Sequence, residues 1–483
     1  MLQLLRRNRD LLSALLVTAF VCAAIALDRP AWIIALSLAL GGGVLLYWAG
    51  FARRWFFWAV FFCIPLSVPG SLGGGFDMSL PSEPLLLLST FFLFLLLLQK
   101  NISAAFLTHP ISLLLFLELL IFLLTSLSST MPEVSLKRTV SRTLYVLIFY
   151  VLTGHVFSEL RQVPRLFAAY ATALSIVIVY TLVQHAEDGL GSKVSFLISR
   201  PFYADHTVYG AAIAFVIPMI VVLLRHADTF KLSVLARTLL APVGVLLFLG
   251  VFFSYSRAAW LSLILAGVFA LLLRVHIRIS HIMIGLLLSA AIVYVSWDTL
   301  YTVLQQTEAV SSKGGAVEQL QSVSNLRSDA SNLERVNRWS CAWRMFKEKP
   351  LTGFGPGTYQ FEYGRFQNAQ EMTYISTRHG DRGNAHSEYL TYLSESGIAG
   401  LLTNLLIVFS VISLGLRLVY SKLPRPTRLL AAALLLGLTT FYVHGLVNMF
   451  IDQDKMAGLV FTAIAGLVAI DVFHNSAASR QHG

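Results

Sequence analysis

The sequence predicts an all-α polytopic membrane protein with about fourteen transmembrane helices and one long loop outside the membrane. Of its 483 residues, 56% are hydrophobic and 13% are charged, and the mean hydropathy is +0.71. Runs such as LLLLSTFFLFLLLL (85–98) and LSLILAGVFALLL (261–273) reach, with their flanks, the roughly 20 residues that cross a bilayer. They lack the polar stripe of a soluble amphipathic helix. A membrane protein therefore explains this composition better than a soluble globule does.

Apolar runs between polar breaks give the predicted spans in chain order. They are residues 11–27, 31–50, 55–69, 82–98, 111–127, 141–157, 166–184, 208–224, 238–253, 258–273, 282–298, 388–415, 429–447 and 457–472. A count of twelve is the alternative, since short pairs such as 238–273 are also compatible with re-entrant hairpins. The chain thus divides into residues 1–298 with eleven spans, a loop at 299–385, and residues 386–483 with the last three spans and the carboxyl-terminal tail.

The distribution of Lys and Arg predicts the orientation in the membrane. Eighteen of the 36 lie in segments that share the side of the amino terminus, and ten lie in the long loop. The short segments on the other side hold eight: Arg29, Lys137, Arg138, Arg142, Lys193, Arg200, Arg257 and Lys455. Because cytoplasmic loops carry the excess of basic residues, both termini are expected in the cytoplasm. The net charge of +11 is therefore a topology signal, and no basic run with interleaved aromatics indicates nucleic-acid binding.

The second half of the long loop is expected to form an amphipathic helix at 331–349. Ser331 and Glu334 have the spacing of a capping box, and Pro350 ends the helix. One apolar face would hold Leu333, Val336, Trp339, Trp343 and Phe346, and its tryptophans suit the membrane interface. At 100° per residue, Arg335 would border this face and Arg338 would point further toward solvent. Residues 307–330, before this helix, are expected to be flexible.

His386 is the candidate general base. With Asn384 as helix cap, His386 would occupy the second helical position, where the helix dipole keeps an imidazole neutral. A neutral histidine at a water-accessible membrane face can accept a proton in catalysis; the alternative is a histidine that caps the helix or bonds a loop carbonyl. Glu388 and Glu395 lie seven residues apart, on one face, and are expected to orient a neighbouring arginine.

Arginines on the predicted outer side form a candidate phosphate site. Arg200 precedes a span, Arg257 lies at a turn between two apolar runs, and Arg335 belongs to the loop helix. Each alone could simply reach the lipid headgroups. Together with His386 they would lie near one surface, where planar guanidinium groups bind phosphate or diphosphate in a bidentate manner.

Other motifs give no sign of a metal or cofactor site. The chain has no His-Glu-x-x-His, no Gly-x-Ser-x-Gly and no recognised zinc spacing. GFGPGTY (353–359) is interpreted as a tight turn after the loop helix rather than a nucleotide loop. The three cysteines are scattered and are interpreted as packing residues. His444, Asp452 and Asp454, at a predicted helix end, are interpreted in the same way.

Three segments resemble the signature regions of the O-antigen ligase and polymerase superfamily: SYSRAAW, ERVNRWSCAWRMFKEKPLTGFGPGTY and NAHSEYLTYLSESGIAGLL. Within it the chain most resembles the lipopolysaccharide O-antigen ligases. The resemblance implies an inverting, metal-independent glycosyltransferase at the periplasmic face of the bacterial inner membrane. It would transfer O-antigen from undecaprenyl diphosphate to the lipid A–core oligosaccharide, without a cofactor.

The resemblance also assigns residues. The essential histidine of the family corresponds to His386, its loop arginine to Arg335, and the arginine ahead of a span to Arg200. Asp205-His206 departs from the Pro-Asn pair of many members. The residues expected at the diphosphate are Arg200, Arg335, Arg257 and Arg338. The residues expected to support the site are Glu388, Glu395, Asp205, His206 and Tyr389.

Three other functions remain open from the sequence. An O-antigen polymerase would use the same donor and similar residues to elongate a second lipid-linked chain. A protein O-oligosaccharyltransferase would deliver the glycan to a protein hydroxyl. A lipid-linked-glycan transporter, a different class, should bury charge near the bilayer middle. The candidate residues instead cluster at one membrane face, and the sequence has no evident internal repeat, which favours the enzyme.

Overall fold

The computed structural model describes residues 53–71, 77–187, 189–190, 195, 197–296, 330–369, 371–372, 376 and 383–475. The predicted spans 11–27 and 31–50 and the loop residues 307–329 lie outside the described residues. The chain divides into two units, residues 1–57 and 58–483, and everything below concerns the second unit except for the start of the first helix.

Helices dominate the described residues, with one short hairpin. Its strands are β1 Val68–Ser71 and β2 Asp77–Leu80, which pair antiparallel. The helices up to the long loop are α1 Arg53–Leu66, α2 Ser82–Leu98, α3 Ala104–Leu107, α4 Pro110–Leu127, α5 Pro132–Tyr145, α6 Gln162–Glu187, α7 His206–Arg225, α8 Val234–Phe253, α9 Arg257–Leu272 and α10 Ile279–Val295. The later helices are α11 Ala330–Glu348, α12 Tyr359–Glu362, α13 Glu388–Val419, α14 Arg425–His444 and α15 Asp454–Ala469.

The all-α membrane fold is confirmed, whereas the count of fourteen spans is not. Within the described residues nine helices are long and apolar enough to cross a membrane: α4 to α9 and α13 to α15, with their continuations. Every predicted span in this part of the chain coincides with a helix, but α1, α2 and α10 have only 14, 17 and 17 residues. The paired runs in 238–273 form helices of 20 and 19 residues, each long enough to cross by itself. The predicted span 55–69 ends earlier, at Leu66, because the chain turns there into β1.

The span predicted at 141–157 begins nine residues earlier and contains buried charge. It runs from Pro132 to Val156, through a π-helical stretch at Val146–Leu152, so Arg138 and Arg142 lie inside a helix rather than in a short loop. Arg142 is 2% exposed. The apolar-run criterion missed this polar beginning, which is tolerated because charges from other segments of the chain pair with it.

Those partners form a network between distant segments. Arg142 Nη2 lies 2.8 Å from Asp452 Oδ1, and its Nη1 lies 3.5 Å from Glu118 Oε1. Arg138 also pairs with Asp452, and Arg142 donates to the Tyr392 hydroxyl at 3.1 Å. Buried charges are stable when they are paired in this way, and breaking such a pair is costly. The network therefore ties α4, α5 and α13 to the segment between α14 and α15.

Helix α13 is interrupted at Gly397, which has φ 64° and ψ −163°. The backbone after α11 bonds to the peptide groups around this break. The Ile398 amide donates to the Pro350 carbonyl at 2.9 Å, and the Phe354 amide donates to the Ser394 carbonyl at 3.1 Å. The long-loop segment is thus fixed on the first turns of α13.

The prediction of a tight turn at GFGPGTY is confirmed, and its glycines have a steric reason. Gly353, Gly355 and Gly357 all have positive φ. A Cβ on Gly353 would lie 2.4 Å from the carbonyl carbon of Glu395, so only glycine permits this approach.

Helix α11 confirms the predicted loop helix but not its details. It begins at Ala330, so Ser331 is not its cap, and Glu334 accepts a hydrogen bond from Arg338 Nε at 2.8 Å instead of closing a capping box. Arg338 is 7% exposed, against the expectation that it points to solvent. In the second half of the helix, Cys341, Ala342 and Met345 form the buried side, while Trp343 is 48% exposed. The predicted face failed there because the helix packs on the turn that follows it, around Phe354, Tyr359 and Tyr363.

Candidate active site

His386 lies at the junction between the long loop and α13. The helix begins at Glu388 and Ser387 is its cap, so His386 precedes the helix rather than occupying its first turn. Its backbone has φ 46°, in the left-handed region, and its amide donates to Asn384 Oδ1 at 2.9 Å. Asn384 therefore stabilises a turn and does not cap α13. Trp339 of α11 donates from Nε1 to the His386 carbonyl at 3.1 Å.

The His386 imidazole is neutral at physiological pH, as predicted, but for a different reason. Burial lowers its pKa most, the charges of Arg338 and Arg335 lower it further, and the pKa reaches about 3. A hydrogen bond with the Asn448 side chain opposes this and raises the pKa. The histidine is nevertheless only half-buried, so it can meet a substrate.

Arg338 connects α11 to the backbone just before His386. Its Nε bonds Glu334 at 2.8 Å, its Nη1 donates to the Asn384 carbonyl at 3.1 Å, and its guanidinium lies 5.1 Å from the Tyr363 ring centroid. Arg338 therefore makes its observed contacts with other residues of the protein. Its expected contact with the diphosphate stays a prediction, whereas its contact with the His386 turn is observed.

Arg335, one turn before Arg338, interacts electrostatically with several other basic side chains. Burial lowers its pKa to about 10, and the charge of Arg257 contributes to this. Arg257 is half-buried at the first position of α9, where Ser256 caps the helix. Arg335 and His206 in turn act electrostatically on His444. We call His386, Arg335, Arg257, His206 and His444 the basic cluster.

Two other candidates lie before α7. Asp205 caps this helix by accepting the amides of Thr207 at 2.7 Å and Val208 at 3.2 Å. It thereby places His206 at the first helical position. Arg200 is exposed, and its Nε donates to the Ala204 carbonyl at 3.3 Å. Among the described residues no contact joins Arg200 to the basic cluster, so its part in the site stays a prediction.

Glu388 and Glu395 bind backbone amides, and their expected role in orienting a neighbouring arginine stays a prediction. Glu388 Oε1 accepts the Phe450 and Ile451 amides at 2.5 and 2.9 Å, and thereby holds the segment that carries Asn448. Carboxylates serve this purpose well because a loop with several free amides needs acceptors when it is buried.

Glu395 holds the glycine-rich turn in the same way. Its two oxygens accept the Gly357 amide at 2.8 Å and the Tyr359 amide at 3.0 Å. Tyr389 donates its hydroxyl to the Tyr442 carbonyl at 3.1 Å and so joins α13 to α14. All three predicted supporting residues on α13 therefore fix the backbone around the cluster.

Sequence reasoning assigns no role to Asn448 and interprets His444 as a packing residue. The Asn448 side chain raises the pKa of His386, and His444 is the last residue of α14, where the charge of Arg335 acts on it. Both belong to HGLVNMFIDQD, whose dense polar residues at the end of an apolar helix were the available signal. Asp452 and Asp454 fit the packing interpretation, since Asp452 pairs with Arg142 and Asp454 accepts from Ser82 Oγ at 2.6 Å.

This arrangement combines a neutral imidazole with fixed positive charge. The cations can stabilise an anion such as a phosphate, and the imidazole can accept a proton from a hydroxyl group nearby. Comparison with known proteins agrees with this chemistry. Residues 242–405 match the family described as O-Antigen ligase. No curated protein matches the chain.

The matched region begins in α8 and ends in α13, so it contains Arg257, Arg335 and His386 but not His206 or His444. The match supports a membrane glycosyl-transfer function of the O-antigen ligase and polymerase type. The resemblance to the O-antigen ligase superfamily is therefore confirmed, and it rests on the part of the chain that carries the central residues of the basic cluster.

Proposed function

We propose that the protein is an inverting, metal-independent O-antigen ligase of the bacterial inner membrane. It transfers O-antigen polysaccharide from undecaprenyl diphosphate to lipid A–core on the periplasmic face. The observation that carries the proposal is the placement of the neutral, half-buried His386 beside Arg335, within a match to the O-antigen ligase family.

The transfer needs a base for the acceptor hydroxyl, and His386 is suited to that role. Its ring nitrogen accepts the hydroxyl proton while the oxygen attacks the anomeric carbon of the donor sugar. The bond from that carbon to the diphosphate oxygen breaks, so the configuration inverts and undecaprenyl diphosphate leaves.

The arginines explain how a base with so low a pKa can work. In the free protein the charges of Arg335 and Arg338 disfavour the imidazolium. A bound diphosphate brings negative charge beside Arg335 and offsets that repulsion, which raises the pKa of His386 toward the range useful for a base. The base thus gains proton affinity when the donor is in place.

Arg335 and Arg257 also act on the leaving group. Negative charge grows on the diphosphate as the glycosidic bond breaks, and preorganised cations stabilise that charge in the transition state. The charge of Arg257 lowers the pKa of Arg335, so the two guanidinium groups repel each other. A bound anion would reduce this repulsion. This fixed charge takes the place that a divalent metal has in many other glycosyltransferases. Arg200, on the exposed turn before α7, is proposed to meet the donor from the membrane side.

A cellular experiment separates the ligase from the polymerase, because the two differ in the acceptor. Deleting the gene should leave full-length O-antigen on undecaprenyl diphosphate and lipopolysaccharide with a bare core. Complementation with the wild-type gene is the control. Lipopolysaccharide capped by a single repeat unit in the deletion strain would contradict the ligase proposal and indicate a polymerase.

A further inference from the structure

His444 is a buried side chain whose ring nitrogens have no hydrogen-bond partner in the part of the chain that the structure describes. It is the last residue of α14 and is 1% exposed. Neither Nδ1 nor Nε2 has a hydrogen-bond partner among the described residues. Buried polar atoms in proteins are nearly always hydrogen-bonded, so a ring with two unsatisfied nitrogens needs an explanation.

The ring is fixed in place by its surroundings. The Phe450 ring meets it edge to face, with the centroids 5.1 Å apart and an interplanar angle of 75°. Phe450 in turn is fixed because its amide donates to Glu388. The His444 ring is thus held in one orientation by its contact with Phe450.

His444 lies at the end of α14, next to the segment that contacts the start of α13. The Glu388 amide, two residues after His386, donates to the carbonyl of Gly445, the residue after His444, at 2.8 Å, so the end of α14 lies against the turn that carries His386. The charges of Arg335 and His206 act on the His444 ring. An imidazole carries at least one N–H donor in either of its charge states. A buried N–H donor that also experiences the positive charge of Arg335 favours an anionic ligand with acceptor oxygens.

We propose that His444 is a substrate-binding residue that donates a hydrogen bond to a phosphate oxygen of the lipid-linked diphosphate donor, beside Arg335. This inference rests on the proposed function and adds to it a contact from α14, outside the region that matches the family. His386 then acts at the acceptor hydroxyl, while Arg335 and His444 hold the leaving group.

The test compares two variants that separate the hydrogen bond from the packing. His444→Phe keeps a planar ring against Phe450 and removes both nitrogens. His444→Gln keeps an N–H donor at a similar distance from the backbone. The matched control is His185→Phe, because His185 is also fully buried and lies edge to face against Phe253, with the centroids 6.1 Å apart.

Binding of undecaprenyl diphosphate to the purified protein in nanodiscs is the measurement, with the melting temperature recorded for each variant. A hydrogen bond to a charged group is strong enough that His444→Phe should weaken binding about tenfold or more. His444→Gln should stay within about threefold of the wild type, since it keeps the donor. The melting temperature of His444→Phe should not fall, because the change removes unsatisfied buried nitrogens.

Three results would overturn the assignment. Wild-type affinity in His444→Phe would exclude the phosphate contact. A lower melting temperature with equal loss of binding in both variants would indicate a packing role. Normal binding of undecaprenyl diphosphate, with a raised KM for the glycan-linked donor, would place the contact on the sugar. In each case the wild type still binds the lipid, so the proposed function survives; a wild type that does not bind it would contradict both.

Discussion

Arg335 and Arg338 lie one turn apart on α11, and the structure predicts opposite consequences for their removal. Arg338→Ala would leave the Glu334 carboxylate, which is also buried, without its ion pair, and the Asn384 carbonyl without its donor. Breaking a buried ion pair on one side costs about 3–5 kcal/mol. We therefore expect Arg338→Ala to lower the free energy of unfolding by an amount of this order.

Arg335→Ala should not destabilise the protein. Because burial and Arg257 lower the pKa of Arg335 to about 10, the folded state disfavours the charged guanidinium. A group with a lowered pKa in the folded state costs stability at pH values where it is still charged, which includes neutral pH. Removing it should leave the melting temperature unchanged or higher, while binding of the donor is lost.

The assay combines thermal unfolding of each purified variant in detergent with binding of undecaprenyl diphosphate to the folded protein. Arg338→Lys is the conservative control, since it keeps the charge but cannot contact both Glu334 and the Asn384 carbonyl. Its melting temperature should lie between those of Arg338→Ala and the wild type. If Arg338→Ala melted like the wild type and lost donor binding, Arg338 would be a ligand of the diphosphate rather than a structural residue.

Further expectations concern charge geometry, pH and backbone. Arg335→Lys or Arg200→Lys should lose most of the transfer activity, because lysine cannot make the bidentate contact with phosphate. Wild-type activity should survive EDTA. Full activity of either lysine variant, or a strict metal requirement, would contradict the arginine site. The pKa of His386 falls from 6.5 to about 3 on folding, so this residue lowers the free energy of unfolding as the pH drops from 6.5 toward 3. His386→Ala should therefore show a weaker loss of stability over that interval in acid titrations, and an identical pH dependence would count against the buried neutral state. Gly353→Ala should destabilise the protein by about 1–3 kcal/mol, because the position has positive φ and its Cβ would lie 2.4 Å from a carbonyl carbon. Gly267→Ala, where a Cβ meets nothing within 4 Å among the described residues, is the control in the same melting experiment.

The helices could be predicted from the sequence because they depend on local patterns. Apolar runs mark helices wherever the structure describes the chain, and the neutral state of His386 and the turn at 353–359 were expected. The beginning of α5 could not be predicted in this way. Arg142 is tolerated inside a span only because Glu118 and Asp452, far away in the sequence, pair with it.

The partners of the predicted site residues were also beyond reach of the sequence. Helical spacing placed Arg338 toward solvent, but the turn that follows α11 folds back and covers it. The acids of α13 suggested arginine partners, yet they bind amides of two segments that tertiary folding brings to them. Spacing along a single helix says nothing about such contacts, because they are made by segments tens of residues away.

Transfer by the purified protein tests the central claim most directly. Protein in detergent or nanodiscs is supplied with undecaprenyl-diphosphate-linked O-antigen and rough lipopolysaccharide, and the product is followed as lipopolysaccharide that carries the polysaccharide. The wild type should form it without added metal. His386→Ala, with a melting temperature near that of the wild type, should lose about 10²- to 10⁴-fold of the rate, the usual contribution of a general base. A folded His386→Ala that kept about a tenth of the wild-type rate or more would be incompatible with this base contribution and would contradict the assignment.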